Sequence, residues 1–191
     1  EESSRDKLKR TRDFNQDFAI VKNTGKTLTV LMFDGVSQSR APRQWAEFLA
    51  DLYVKNNMNI NKLKKHSAEV EQWHESSVEK WEDWIEKEYL PRRTHLPNWR
   101  LKNEVKSSHT TFIAIEINSK EINVACIGDS AVFCRKKSGE INSLPITYNH
   151  ALRPKNISTK SLYKSDEIDY LSMPLDELES VLACTDSIAD Y

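Results

Sequence analysis

The chain has 191 residues, with 28 basic against 29 acidic side chains and a formal net charge of −1. That balance argues against a general nucleic-acid binder, which carries a basic excess. Only 4 residues are glycine, which leaves no room for a G-x-G-x-x-G fingerprint or a P-loop, and no apolar run approaches the ~18–20 residues that span a bilayer.

The length fits one domain, and 38% hydrophobic residues can build a core under a surface supplied by the 30% that are charged. The first segment, EESSRDKLKRTRD, is charged throughout and lacks the apolar centre of a signal peptide. Residues 1–11 are expected to be a flexible lead-in. The cysteines, Cys126, Cys134 and Cys184, lie in apolar runs and form no C-x-x-C pair. They are expected to be reduced core thiols of a cytoplasmic protein, and no membrane association is expected.

Along the chain, Phe18–Val21 and Thr27–Phe33 are short β-prone runs flanking the turn signal Asn23-Thr-Gly25, which predicts a hairpin stopping at Asp34-Gly35. Pro42 suits a first helical turn, and Trp45, Phe48, Leu49, Leu52 and Tyr53 fall on one helical face. The polar run Asn56–Asn61 breaks that helix. A second helix is predicted over about His66–Tyr89, with Trp73, Trp81, Trp84 and Ile85 on one face. Strand chemistry returns at Thr111–Ile115, Ile122–Ile127, Ala131–Cys134 and Ile141–Ile146. Residues 148–177 show no assignable pattern, and Ser180–Cys184 is a final strand. Strands, then helices, then hairpin-like strands define an α+β protein with mainly antiparallel sheet.

Four aspartates sit at strand ends. Asp17 precedes FAIV, Asp34 follows TVLMF, Asp129 follows VACIG, and Asp186 follows VLACT. A half-buried carboxylate is costly unless a positive charge neutralises it, and no lysine or arginine adjoins Asp34, Asp129 or Asp186 in sequence. Oxygen ligands without a His/Cys cluster suit Mg²⁺ or Mn²⁺ better than zinc. An aspartate after a strand is also a common turn residue, so strand-end position alone leaves both readings open.

The surrounding text resembles the metal-dependent protein phosphatases of type 2C. Phe33-Asp34-Gly35-Val36 resembles the family's "DG-hydrophobic" motif. Arg12 with Asn15-Gln16-Asp17 resembles "R…NED", and Ser108-His-Thr-Thr111 resembles the "GTTA" strand start. Ile127-Gly128-Asp129-Ser130 resembles "GDSR", and Leu182–Asp190 resembles "LLATDGLWD". Five motifs in order are specific where any one is weak. Val36, in place of a histidine after Asp34-Gly35, is similar to bacterial-type members.

The resemblance implies a four-layer α-β-β-α sandwich of two antiparallel sheets flanked by helices, with a metal centre at one end. It implies that Asp34 bridges two Mn²⁺ or Mg²⁺ ions, that the Gly35 carbonyl and Asp186 each bind one of them, and that Asp17 holds a metal-bound water. Asp129 and Asp190 would form a third, weaker metal site. Arg12 would pair with the substrate phosphate. The activity implied is hydrolysis of phosphoserine and phosphothreonine in proteins, with Arg12, Asp17, Asp34 and Asp186 as the catalytic group.

Gln16 stands where the family has Glu, and Ser187 where it has Gly. The family continues beyond the point matching Tyr191 to a last metal-binding Asp, so residues 12–191 are expected to be a phosphatase-like domain lacking its C-terminal strands. Gln16 and the missing last Asp favour an alternative function, a catalytically impaired domain that binds a phosphoprotein or another partner.

The five tryptophans, Trp45, Trp73, Trp81, Trp84 and Trp99, are expected in packing. His66 and His74, eight residues apart, lack the i, i+4 spacing of a zinc pair and are expected at the surface. His109, at a strand start, is expected to be structural, with leaving-group protonation as the other reading. The Lys62–His66 cluster is expected to be a solvated helix start.

Overall fold

The computed structural model of the protein describes residues 16–36, 39, 41–93, 107–145 and 155–185. Strand β1 (Phe18–Asn23) turns back into β2 (Leu28–Phe33), and Asn23 Oδ1 accepts the Gly25 amide at 2.8 Å in the turn. Helices α1 (Pro42–Lys55), α2 (Ile60–Lys65) and α3 (Ala68–Trp84) follow, and α3 runs on into a π-helical turn, Ile85–Tyr89. The chain then forms β3 (His109–Thr110), β4 (Phe112–Ile117), β5 (Glu121–Ile127), β6 (Ala131–Lys136) and β7 (Ile141–Leu144). It ends with β8 (Ile157–Ser158), β9 (Asp169–Pro174) and β10 (Leu178–Cys184).

The strands form a five-stranded sheet in the order β1-β2-β4-β5-β9, a three-stranded sheet β10-β6-β7, and the short pair β3-β8. Pairing among them is antiparallel. Successive residues on a strand face opposite sides, so the large sheet sorts its side chains into two cores. Leu31, Phe33, Phe112, Ala114, Ala125 and Ile127 join Trp45, Leu49, Tyr53 and Trp73 of the helices in one core. Ile113, Ile115, Ile122, Val124, Cys126 and Met173 join Val132, Cys134 and Leu144 of the small sheet in the other. Covering both faces explains why TVLMF and FIAI read as unbroken apolar runs rather than alternating ones. The cover thins at the edge: Val21 on β1 faces the inter-sheet side and is 64% exposed.

Helix α1 begins with Pro42 at its first turn, and its apolar stripe carries Trp45, Leu49, Leu52 and Tyr53 inward. Trp45 Nε1 donates to the Ile157 carbonyl (3.1 Å), and Trp73 Nε1 of α3 donates to the Leu49 carbonyl (2.9 Å). Both rings are fully buried with their one donor satisfied, so truncating either to alanine is expected to cost about 3–5 kcal/mol.

The α+β class and the stacked antiparallel sheets with flanking helices agree with the expectation; among the described residues the helices lie on the outer face of the large sheet. Three local expectations are corrected. The polar run ends α1 at Lys55 as expected, but the next helix starts inside it, before the Lys62 cluster. Asn59 caps α2, its Oδ1 accepting the Lys62 amide at 2.9 Å, so Lys62–Lys65 lies within that helix and ends it, with Leu63 buried between the lysines. His74 is not at the surface. It is buried, its Nε2 is 2.7 Å from the Ser158 carbonyl, and its ring meets Trp45 edge-on. Burial pushes its pKa down. Lastly, the unassigned stretch 148–177 holds β9, the outer strand beside β5.

Glu116 ties the helices to β4. Its Oε1 accepts the Tyr53 hydroxyl (3.1 Å) and the Ile60 amide (3.2 Å). Burial raises its pKa above 4.5 despite these two bonds. A carboxyl with a raised folded pKa stabilises the fold below its unfolded pKa, and that contribution is lost as pH rises through the folded value. Glu116→Gln keeps an acceptor without the charge. Urea denaturation should therefore show the variant gaining on the parent between pH 4.5 and 7, with the gap closing toward pH 4.5. Parallel pH profiles for the two proteins would refute this assignment.

Candidate functional site

One edge of the large sheet gathers the candidate residues. The β1–β2 register, Phe18 opposite Phe33, carried one residue on sets Asp17 opposite Asp34. The β2–β4 register continues through a bridge between Gly35 and Thr110, which sets Asp34 opposite Thr111. The Thr111 amide donates to the Asp34 carbonyl (2.9 Å), the Thr110 hydroxyl donates to the same oxygen (2.8 Å), and the Val36 amide donates to the His109 carbonyl (3.1 Å). With Asp34 and Val36 bonded toward β3 and β4, the Gly35 carbonyl is directed the other way, toward the start of β1. Alternation along β1 and β2 directs the Asp17 and Asp34 side chains to the inter-sheet side of this edge.

Gly35 is where the segments meet. A Cβ placed there would lie 2.7 Å from the Gln16 carbonyl oxygen and 2.7 Å from Pro42 Cβ. The start of β1, the exit of β2 and the first turn of α1 therefore pack closer than any other residue allows. Gly128 plays the same part at the exit of β5. It sits at φ +107°, and a Cβ there would lie 2.6 Å from Thr111 Cγ2 and 2.9 Å from the Lys155 carbonyl. Behind it, the buried Thr111 and Ser130 hydroxyls share a 2.8 Å hydrogen bond that fastens the turn carrying Asp129 to the one carrying Asp34.

Two residues at this edge escaped the sequence reading. Asp169 opens β9 opposite Cys126, on the face that Leu171 and Met173 share with the inter-sheet core. The Cys126 thiol is pushed up to about 12, first by burial and then by the negative charges of Asp169 and Asp129. The alternation Asp169, Leu171, Met173 against Ile168, Tyr170 was the signal available in the sequence. Arg43 is the other. From α1 its Nη1 donates to the Asp17 carbonyl (2.9 Å), 26 residues away in the chain, a pairing no local pattern shows.

His109 lies beside Val36, and its Nδ1 is 2.9 Å from Asn156 Oδ1. Arg12, Asp186, Asp190 and Trp99 lie outside the described residues. Among the described residues Asp17, Asp34, Gly35 and Asp129 come to one edge, but no group of three or more His, Cys, Asp or Glu side chains there converges as a metal cluster. The donors at this edge are carboxylates and a backbone carbonyl, the set that hard divalent cations such as Mn²⁺ and Mg²⁺ take.

The sequence profile of the protein phosphatase 2C family matches residues 7–190. The chain belongs to that family and is by membership a protein serine/threonine phosphatase. Solved structures share its fold. The serine/threonine phosphatase Stp1 from Staphylococcus aureus is 16% identical with a TM-score of 0.60, over 93% of this chain and 72% of that one. The S. agalactiae serine/threonine phosphatase is 18% identical with a TM-score of 0.54, over 92% of this chain and 75% of its own. The catalytic domain of the phosphatase PstP, solved in complex with 2 manganese ions, is 13% identical with a TM-score of 0.56, over 92% and 73%. A sequence search against curated proteins finds no match. Among the described residues no helix is long and apolar enough to cross a membrane.

The close approaches make a direct prediction. Gly35→Ala should destabilise the protein by about 1–3 kcal/mol through overpacking alone. Gly128→Ala should cost more, because it adds a positive-φ penalty to the clash. Gly139→Ala, at φ +91° with nothing within 4 Å of its Cβ, isolates the conformational part. Urea midpoints order the three variants; a Gly128→Ala no worse than Gly139→Ala would remove the packing argument.

Proposed function

We propose that this chain hydrolyses phosphoserine and phosphothreonine in proteins with the help of two Mn²⁺ or Mg²⁺ ions held at the edge described above. The observation that carries this reading is the row Asp17–Asp34 brought side by side at the Gly35 cradle, in a chain of the protein phosphatase 2C family.

In this reading Asp34, the Gly35 carbonyl and Asp186 would hold the ions, and Asp17 would hold water beside them. Asp129 and Asp190 offer a further, weaker site. Divalent ions in such a site supply a water of lowered pKa and neutralise phosphoryl oxygens. The chain's own residues do the rest. Arg12 binds and orients the phosphate through paired charge-assisted hydrogen bonds. Asp17 accepts a hydrogen bond from water, and its position beside Asp34 fixes where that water stands. The Thr110 hydroxyl and Thr111 amide hold the Asp34 backbone still, so the carboxylate is aimed before substrate arrives. No side-chain nucleophile is required. Cys126, at about 12, is almost wholly protonated at neutral pH and is no candidate for a phosphocysteine step. Three buried thiols fit a reducing, cytoplasmic setting.

Asp34→Asn should lower Mn²⁺-dependent hydrolysis of p-nitrophenyl phosphate and of a phosphothreonine peptide by at least about 100-fold, with the urea midpoint little changed. EDTA should abolish turnover in the parent protein, and added Mn²⁺ should restore it. Unimpaired turnover in Asp34→Asn ends the proposal. Mn²⁺ or phosphopeptide binding by the parent protein without any turnover would establish the impaired, partner-binding form instead.

A further inference from the structure

The geometry points to Arg43 as the positioning residue for Asp17, a role that rests on the reading of Asp17 as a metal-site residue. Three observations converge on its guanidinium. Nη1 donates to the Asp17 carbonyl at 2.9 Å. Nε donates to Glu47 one turn along α1, at 3.1 Å. The planar group lies over the Phe18 ring, 5.7 Å from its centroid.

These contacts grip the backbone immediately after the Asp17 side chain. The carbonyl of residue 17 is bonded, and the ring of residue 18 is pinned beneath the charge. On the other flank, the carbonyl of residue 16 is packed against Gly35. The Asp17 Cα is thus held on both sides, once by Arg43 and once by the glycine cradle. Both holds trace back to the first turn of α1, where Pro42 presses on Gly35 and Arg43 reaches Asp17.

Arginine suits the task because its fork offers separate N–H donors in one plane and its flat face stacks on an aromatic ring. Glu47 fixes the plane, so Nη1 is aimed rather than sampled. Asp17 immediately precedes β1, which among the described residues pairs with β2 alone.

The test is Mn²⁺ affinity measured calorimetrically and by thermal shift, beside the Mn²⁺ concentration giving half-maximal turnover, in the full chain. Arg43→Met keeps the aliphatic stem and removes the donors. It should weaken Mn²⁺ binding by about 10-fold or more, the range for residues that orient metal ligands from behind. Arg43→Lys retains one donor for the Asp17 carbonyl and should recover most of that loss. Lys80→Met breaks an ion pair with Asp51 between α3 and α1, away from this edge, and serves as the control for general loosening of the helices. Its Mn²⁺ affinity should match the parent's.

Asp17→Asn separates the two levels of the argument. If Asp17→Asn lowers Mn²⁺ affinity while Arg43→Met leaves it unchanged, the role of Arg43 is overturned and the metal site stands. Equal losses in Arg43→Met and Lys80→Met overturn it as well, since the effect is then general. If Asp17→Asn binds Mn²⁺ like the parent, the reading of Asp17 fails and the role of Arg43 fails with it.

Discussion

The fold turns on a close approach that only a residue without a side chain permits. At Gly35 the backbone leaving β2 passes within van der Waals reach of the Gln16 carbonyl and the Pro42 ring. Three segments distant in function meet there: the start of the outer strand, the exit of its neighbour, and the first turn of the helix that covers the sheet. Because Asp17 and Asp34 are the residues flanking this meeting point, their separation follows from backbone packing and not from attraction between them. The body of the fold must supply the free energy that holds this close packing in place.

That supply comes from the two cores. The large sheet is covered by aromatic-rich helices on one face and by the small sheet on the other, so each of its inner strands is anchored twice. The helix-side core is built around Trp45, Tyr53, Trp73 and Phe112; the last three rings meet one another at tilted and edge-on angles, and Trp45 meets His74 and Trp81 edge-on. Two of its buried donors bond across long sequence distances, Trp45 to the Ile157 carbonyl and Tyr163 to the Leu63 carbonyl.

Much of this was legible from residue order. The β1–β2 hairpin, the α1 stripe beginning at Pro42, and the β4–β5 pair followed from alternation, from helical spacing and from turn residues. So did the placement of Asp17, Asp34 and Asp129 at strand ends. The rest was hidden for identifiable reasons. Strand β9 is short and half polar, and its pairing with β5 gives it a stability that its own composition does not advertise. Helix α2 is a single capped turn and a half, below the length at which periodicity is visible. His74 follows Trp73 on a charged helix and reads as surface, yet Ser158, 84 residues on, offers the acceptor that makes its burial tolerable.

By itself the amino-acid order determined which segments become strands and helices, and which carboxylates stand at their ends, because those properties depend on neighbours within a few residues. Only the tertiary structure decided that the ends belong to one edge, that Asp169 joins them, and that Arg43 is turned onto Asp17. Register between strands and the reach of a helix across a sheet are set by packing between parts of the chain that no local pattern connects.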